Sequence, residues 1–182
     1  MKFEKTFYTV KSGKQITVRS PLVADAQAIL SLKRGYIENT TTLPLTLEEY
    51  PNNLKKESHL IEEYQNSTNS IVLIAEFEDE LIGNIDLTGS KRSKINHTAM
   101  LGMGIQKDWR NQGLGKILIT AAVDWAKNKS KIEIVWLAVY ASNELGYNLY
   151  KNMGFEVSGI IKDFFKENED YIDKVQMYQR IK

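Results

Sequence analysis

The segment "WRNQGLGKILI", residues 109–119, places two glycines and two basic side chains at the start of an apolar helical run. The first N–H groups of a helix have no partner within the helix, and the helix dipole adds partial positive charge there. Glycine lets a large anion approach this backbone without a Cβ atom in the way. Because Arg110 and Lys116 flank the turn, the spacing Arg110-x-x-Gly113-x-Gly115 predicts a cradle for a diphosphate.

Two other phosphate-binding motifs fit this segment less well. A Walker A loop needs a glycine five residues before its Gly-Lys pair and a Ser or Thr after it, but the chain has Arg110 and Ile117 there. The dinucleotide fingerprint needs a third glycine where the chain has Leu118. A glycine-rich turn that binds nothing also fits the segment alone, so the rest of the chain has to decide.

A second set of residues lies in "WLAVYASNELGYNLYKNMGF", residues 136–155. Asn143 follows an apolar strand, Tyr150 comes seven residues later, and Gly154 ends the next helix. Asn143 is also a good helix N-cap, and the two roles are compatible. Together with the Arg110–Gly115 segment, this pattern resembles the GNAT superfamily of N-acetyltransferases. The resemblance is good over residues 71–182 and loose over residues 16–70.

The resemblance implies that acetyl-CoA binds as a co-substrate, with no metal. Met103, Gly104 and Ile105 would offer backbone hydrogen bonds to the pantetheine arm and the acetyl carbonyl. The glycines of "LGMG", residues 101–104, predict a β-bulge or a close backbone approach. The implied cofactor-binding residues are Met103, Gly104, Ile105, Arg110, Asn111, Gln112, Gly113, Leu114, Gly115, Lys116, Asn143 and Asn148.

The resemblance also implies catalytic residues. Tyr150 would be the general acid that returns a proton to the departing thiolate, whose pKa is about 8.5 in a free thiol. A base is needed because an amine of pKa about 10 is mostly protonated at neutral pH. Some protein-modifying members carry a Glu where this chain has Ala138, so Asp86, Glu38 or a water chain remain as candidates, with Asp86 preferred.

The elements that must position these residues read as alternating strands and helices. Asp25 and the Thr46–Glu49 pair predict helix starts, and "IEIVWLAVY" predicts a strand buried on both faces. The resemblance implies an α/β fold: a mixed, strongly curved central sheet of about seven strands flanked by helices on both faces. Two central parallel strands would splay apart to admit the cofactor. We expect a single domain over residues 1–182.

Composition limits the partners. The net charge is only +1 and basic and acidic residues are mixed, which argues against a nucleic-acid surface. No apolar run reaches membrane-spanning length, and no cysteine is present, so we expect a cytoplasmic protein without a cysteine-linked intermediate. We expect a small amine acceptor, such as a polyamine, amino acid or antibiotic. A protein N-terminus or lysine, or a non-catalytic acyl-CoA sensor, is the alternative. Edge strands near the C-terminus allow a homodimer.

Overall fold

The structure is a computed structural model, and it describes residues 3–182. Within these residues it contains eight strands and four α-helices. The strands are β1 (Thr6–Thr9), β2 (Gln15–Arg19), β3 (Ile71–Phe77), β4 (Glu80–Gly89), β5 (Thr98–Ile105), β6 (Ile134–Tyr140), β7 (Glu156–Glu167) and β8 (Asp170–Arg180). The helices are α1 (Ala26–Glu38), α2 (Leu54–Asn66), α3 (Leu114–Lys129) and α4 (Glu144–Asn152).

All eight strands form one sheet in the order β1-β2-β3-β4-β5-β6-β8-β7. Strands β5 and β6 pair in parallel, and every other neighbouring pair in the described sheet is antiparallel. The sheet is therefore mixed, as expected, with one strand more than the approximate seven. The expected antiparallel pair at the C-terminus is confirmed as β7 and β8.

Side chains on the sheet alternate between two apolar clusters, one on each face. The larger cluster joins alternate residues of β4 and β5, such as Ile85 and Leu101, to Leu118 of α3. The smaller cluster joins Ile74 of β3 to α1 and α2, for example through Ile29. Helices α1 and α2 thus cover one face and α3 the other, which confirms the expectation of helices on both faces.

The pairing between β5 and β6 ends early. It spans three residue pairs, from Thr98 opposite Ile134 to Met100 opposite Trp136. Beyond Met100, β5 continues to Ile105 and β6 to Tyr140 without pairing to each other. The two parallel strands therefore leave a gap in the middle of the sheet, as the resemblance implied.

The β-bulge expected at the "LGMG" glycines is wrong. The β4–β5 ladder runs without a register shift from Gly83 opposite Ile105 to Gly89 opposite Ala99. A Cβ atom on Gly104 would overlap the ring of Tyr36, and one on Gly102 would lie 2.9 Å from Oδ1 of Asp86. These glycines make room for side chains that lie across the strand.

Of the two expected helix starts, the one at Asp25 is confirmed, because α1 begins at Ala26 with Asp25 as its N-cap, and the one at Thr46–Glu49 is wrong. The Asp25 carboxylate itself forms no capping hydrogen bond, because it accepts from the guanidinium of Arg19 at 2.7 Å and from the N–H of Leu22 at 2.6 Å. Thr46 and Glu49 form the reciprocal bonds of a capping box, but these bonds close only a turn. Helix α2 begins later, at Leu54, because Pro51 cannot donate a backbone hydrogen bond and restricts the residue before it.

Strand β6 is buried on one face rather than on both. Val135, Leu137 and Val139 are buried, whereas Ala138 is exposed and Trp136 is partly exposed. The open face of β6 lies beside the gap. It therefore belongs to the surroundings of the site rather than to the core.

Candidate functional site

The turn that leads into α3 presents a row of free backbone donors. Gly113, the N-cap, has a φ of +86° and Asn111 has a φ of +61°, both in the left-handed region. Within residues 3–182, the N–H groups of residues 111–116 donate to no acceptor. The helical ladder begins with the N–H of Ile117, which donates to the carbonyl of Gly113 at 3.2 Å. Such a concave run of amides at the positive end of a long helix fits a diphosphate.

Both glycines of the turn are required by the geometry of the protein itself. A Cβ atom on Gly113 would be 3.7 Å from Cγ of Lys11, an ordinary contact, so the left-handed backbone is what requires glycine there. A Cβ atom on Gly115 would be 2.7 Å from Cδ2 of Leu149, so this glycine allows α4 to pack against α3. The expected reason, a clear path for an anion, stays a prediction beside these two.

Side chains of the turn hold its shape. Nε of Arg110 donates to the carbonyl of Ile105 at 3.2 Å, and Nε2 of Gln112 donates to the carbonyl of Asp108 at 2.9 Å. Lys116 is exposed in the first turn of α3. Arg110 therefore ties the turn to the end of β5, while the Lys116 ammonium is open to solvent.

Alternate backbone groups of β5 face the gap. The carbonyl of His97 accepts from the N–H of Ile134 at the β6 side, and the N–H of Gln106 donates to Ile82 of β4 on the other side. Because backbone direction alternates along an unbroken ladder, the N–H groups of Met103 and Ile105 point into the gap. The N–H group of Gly104 points toward β4. Of the three residues expected to bind the pantetheine arm, two are therefore well placed.

Helix α4 supplies the residues expected near the thioester. Oδ1 of Asn143 accepts from the N–H of Gly146 at 2.9 Å, so this residue caps α4, and its Nδ2 lies 3.5 Å from Oγ1 of Thr42. The Tyr150 ring packs edge-to-face on Phe155, with centroids 5.9 Å apart. Burial raises the pKa of Tyr150 to about 12. Its hydroxyl bonds to none of the described residues, so it remains protonated and available. Asn148 is exposed.

On the face of the sheet covered by α1 and α2, a polar cluster surrounds Asp86. Its carboxylate accepts from the hydroxyl of Tyr64 at 3.2 Å and from that of Thr88 at 3.0 Å. Burial raises the pKa of Asp86, and these hydrogen bonds oppose the effect. The Tyr36 ring lies on Gly104. Asp86 of β4 and Tyr36, which packs over Gly104 of β5, thus lie on the face opposite α3 and the turn of free amides at residues 111–116 (the amide turn).

From the sequence, neither Tyr36 nor Tyr64 is identified as a site residue, because a tyrosine at helical spacing with apolar residues is typical of an ordinary packed helix face. The one available signal was the pair of glycines in β5, which leaves space for large side chains from another element. Glu38 is exposed at the end of α1 and forms no hydrogen bond or ion pair with a described residue, so it takes no part in the hydrogen bonds of the Asp86 cluster. No group of metal-ligating side chains occurs among residues 3–182. None of their helices is both long and apolar enough for a membrane span.

A splayed parallel pair, an open strand edge and a turn of free amides are together typical of an acyl-CoA-dependent transferase. The model of the acetyltransferase (GNAT) family matches residues 39–155, a range that contains the turn, Asn143 and Tyr150. The chain belongs to this family.

Individual relatives are distant. An L-amino acid N-acetyltransferase, AaaT of Escherichia coli strain K12, is 25% identical over 105 residues; the match covers 58% of this chain and 65% of AaaT. An N-alpha-acetyltransferase of Sulfurisphaera tokodaii is 26% identical over 172 residues, covering 90% of this chain and 94% of the relative. The solved structure of yncA from Salmonella typhimurium, with its cofactor acetyl-CoA, has a TM-score of 0.81 and 16% identity, and covers 92% and 94% of the two chains. It shows the same fold.

Proposed function

We propose that this chain transfers the acetyl group of acetyl-CoA to a primary amine, by direct attack within a ternary complex. The observation that carries the proposal is the gap between β5 and β6. It opens beside six amides at the start of α3 that donate to none of the described residues. The diphosphate fits the amides of residues 111–116, and the pantetheine arm fits the free edge of β5. The yncA structure, determined with acetyl-CoA on the same fold, supports this placement.

The reaction exchanges an amine for a thiol at one carbonyl carbon. The amine nitrogen forms a bond to this carbon, the carbon–sulfur bond breaks, and CoA leaves as a thiolate. The N–H of Ile105 faces the gap and is placed to stabilise the oxyanion that forms in between. Since the chain has no cysteine, no cysteine-linked acetyl-enzyme forms.

Two groups handle the protons in this proposal. The Tyr150 hydroxyl is protonated and bonds to none of the described residues, so it can donate to the departing thiolate. The nitrogen loses a second proton as the amide forms, and this proton restores the Tyr150 hydroxyl. Asp86 can take a proton from the amine, directly or through a water, because its raised pKa brings it closer to the working pH. Asp86 lies on the face of the sheet away from the amide turn, so acceptor and cofactor would approach from opposite faces.

We further propose that the acceptor is a small amine of the polyamine, amino acid or antibiotic type. The exposed face of β6 offers Ala138 rather than a carboxylate at the centre of the open surface. AaaT, named for L-amino acids, supports a small acceptor. The N-alpha-acetyltransferase of S. tokodaii supports the alternative, a protein N-terminus or lysine.

A thiol-release assay tests the activity. Wild-type protein with acetyl-CoA should release free thiol with at least one class among polyamines, aminoglycosides, amino acids and peptides. Peptides as the best acceptors would favour the protein-modifying alternative. Tight binding of acetyl-CoA without release in any class would refute the enzyme and favour the sensor.

We also propose that the chain forms a homodimer through β7. This edge strand exposes Val157, Ile160, Ile161 and Phe164, each by 44–55%. Since bulges interrupt its ladder with β8, we expect contact between side chains rather than continued strand pairing. Light scattering should give a dimer mass for the wild type and a monomer mass for Ile160→Lys; a monomeric wild type would exclude the dimer. The single domain over residues 1–182 and the cytoplasmic location remain predictions.

A further inference from the structure

The turn between β1 and β2 is docked onto the amide turn before α3. The N–H of Lys11 donates to the carbonyl of Gln112 at 3.0 Å. The hydroxyl of Ser12 donates to Oε1 of the same glutamine at 2.7 Å. Main chain and side chain of Gln112 therefore both hold the β1–β2 turn in place, and Lys11 lies beside the free amides.

The Lys11 side chain lies across Gly113. Its Cγ and Cε atoms are 3.7 and 4.0 Å from the point where a Cβ atom on Gly113 would stand. The ammonium is one bond beyond Cε, so it lies close to Gly113, within the turn that carries the amides of residues 111–116. The residue is exposed, and within the described part of the chain no carboxylate pairs with it. Its positive charge is thus uncompensated at the site where a phosphate is expected.

The neighbouring lysine behaves differently. Nζ of Lys14 lies 4.8 Å from the centroid of the Phe77 ring and 5.1 Å from that of Trp109, so its charge is engaged by aromatic faces. Of the two lysines in this turn, only Lys11 extends along Gly113. A phosphate that binds the amides would have this ammonium within reach, and lysine pairs with phosphate as a point charge.

We propose that Lys11 is a further cofactor-binding residue, which closes the amide turn by pairing with a phosphate of the CoA moiety. This inference rests on the proposed function for the identity of the ligand. The contribution comes from the N-terminal hairpin, outside the Arg110–Gly115 segment that carries the sequence motif.

Calorimetry with CoA, dephospho-CoA and pantetheine tests this role. Lys11→Met keeps the aliphatic stem and removes the charge, and Lys14→Met is the matched control. We expect Lys11→Met to raise the Kd for CoA about threefold to tenfold, with less difference at high salt, and Lys11→Arg to restore most of the affinity. Lys14→Met should bind CoA like the wild type. Pantetheine, which has no phosphate, should bind the wild type and Lys11→Met equally.

The phosphate analogues identify the partner of Lys11. A difference that persists with dephospho-CoA assigns the diphosphate, and one that disappears assigns the 3′-phosphate; either supports the proposal. An unchanged Kd in Lys11→Met, an equal loss in Lys14→Met, or an equal loss for pantetheine overturns it. These results are independent of acetyl transfer: a wild type that binds CoA without turnover refutes the enzyme and leaves the role of Lys11 measurable.

Discussion

Replacement of Gly113 by alanine should cost either stability or CoA affinity, depending on whether the turn keeps its left-handed shape. Gly113 has a φ of +86°, and a non-glycine residue pays roughly 1–2 kcal/mol there. The added Cβ would meet Lys11 at 3.7 Å, so no clash adds to this cost. If the turn keeps its shape, the free energy of unfolding falls by that amount, and Tm falls by about 2–8 °C for a chain of this size. If the turn relaxes, CoA must restore it, and Kd rises about 5- to 30-fold.

Gly35→Ala is the matched control for this variant. Gly35 lies inside α1, and a Cβ atom there would meet nothing within 4 Å. The same substitution should therefore stabilise the protein by about 0.5–1 kcal/mol and leave CoA binding unchanged. Calorimetry with CoA and thermal unfolding measure both variants. A Gly113→Ala protein with wild-type Tm and wild-type Kd would refute the argument that the left-handed turn is the binding conformation.

Three other substitutions have expected outcomes. Tyr150→Phe should bind CoA normally and lose about 10²-fold in kcat, with a smaller loss above about pH 8.5, where the thiolate leaves unprotonated; a pH-independent loss would contradict a general acid. Asp86→Asn should lose about 10²-fold in kcat/KM together with the acid limb of its pH profile. Burial raises the pKa of Asp86 above its usual 3.8, so charging this carboxylate on going from acid to neutral pH destabilises the wild type. Asp86→Asn carries no such charge. In denaturant titrations its free energy of unfolding, relative to that of the wild type, should therefore be higher at neutral pH than at acid pH. Gly104→Ala should destabilise the protein by about 1–3 kcal/mol, and adding Tyr36→Leu, but not Tyr36→Phe, should recover much of the loss in urea unfolding.

The sequence was informative where function depends on local spacing. The Arg110–Gly115 segment predicted an anion-binding helix start because glycine placement and helix polarity act over a few residues. Asn143 was interpretable for the same reason, since a cap bonds within its own first turn. The position of the gap came from the resemblance, because nothing in β5 or β6 alone shows where their pairing ends.

Contacts between distant segments could not be predicted from one sequence. Ser12 and Gln112 are 100 residues apart in the chain, and their hydrogen bond depends on how the hairpin packs beside the sheet. The "LGMG" glycines looked like a bulge because small residues in a strand have several explanations, and only the fold brings Tyr36 onto Gly104. Asp25 has the residue type of a cap, but Arg19 outcompetes the helix N-terminus for its carboxylate.

The short ladder between β5 and β6 has a consequence for thermal stability. Three residue pairs connect the five-stranded N-terminal part of the sheet to the three C-terminal strands. A ligand bound between them would contact both parts, and its own amide groups would form hydrogen bonds where the two strands do not pair. Saturation with such a ligand, at about a hundred times its Kd, adds about 2.7 kcal/mol to the folded state. The melting temperature of the protein would then rise with the concentration of acetyl-CoA.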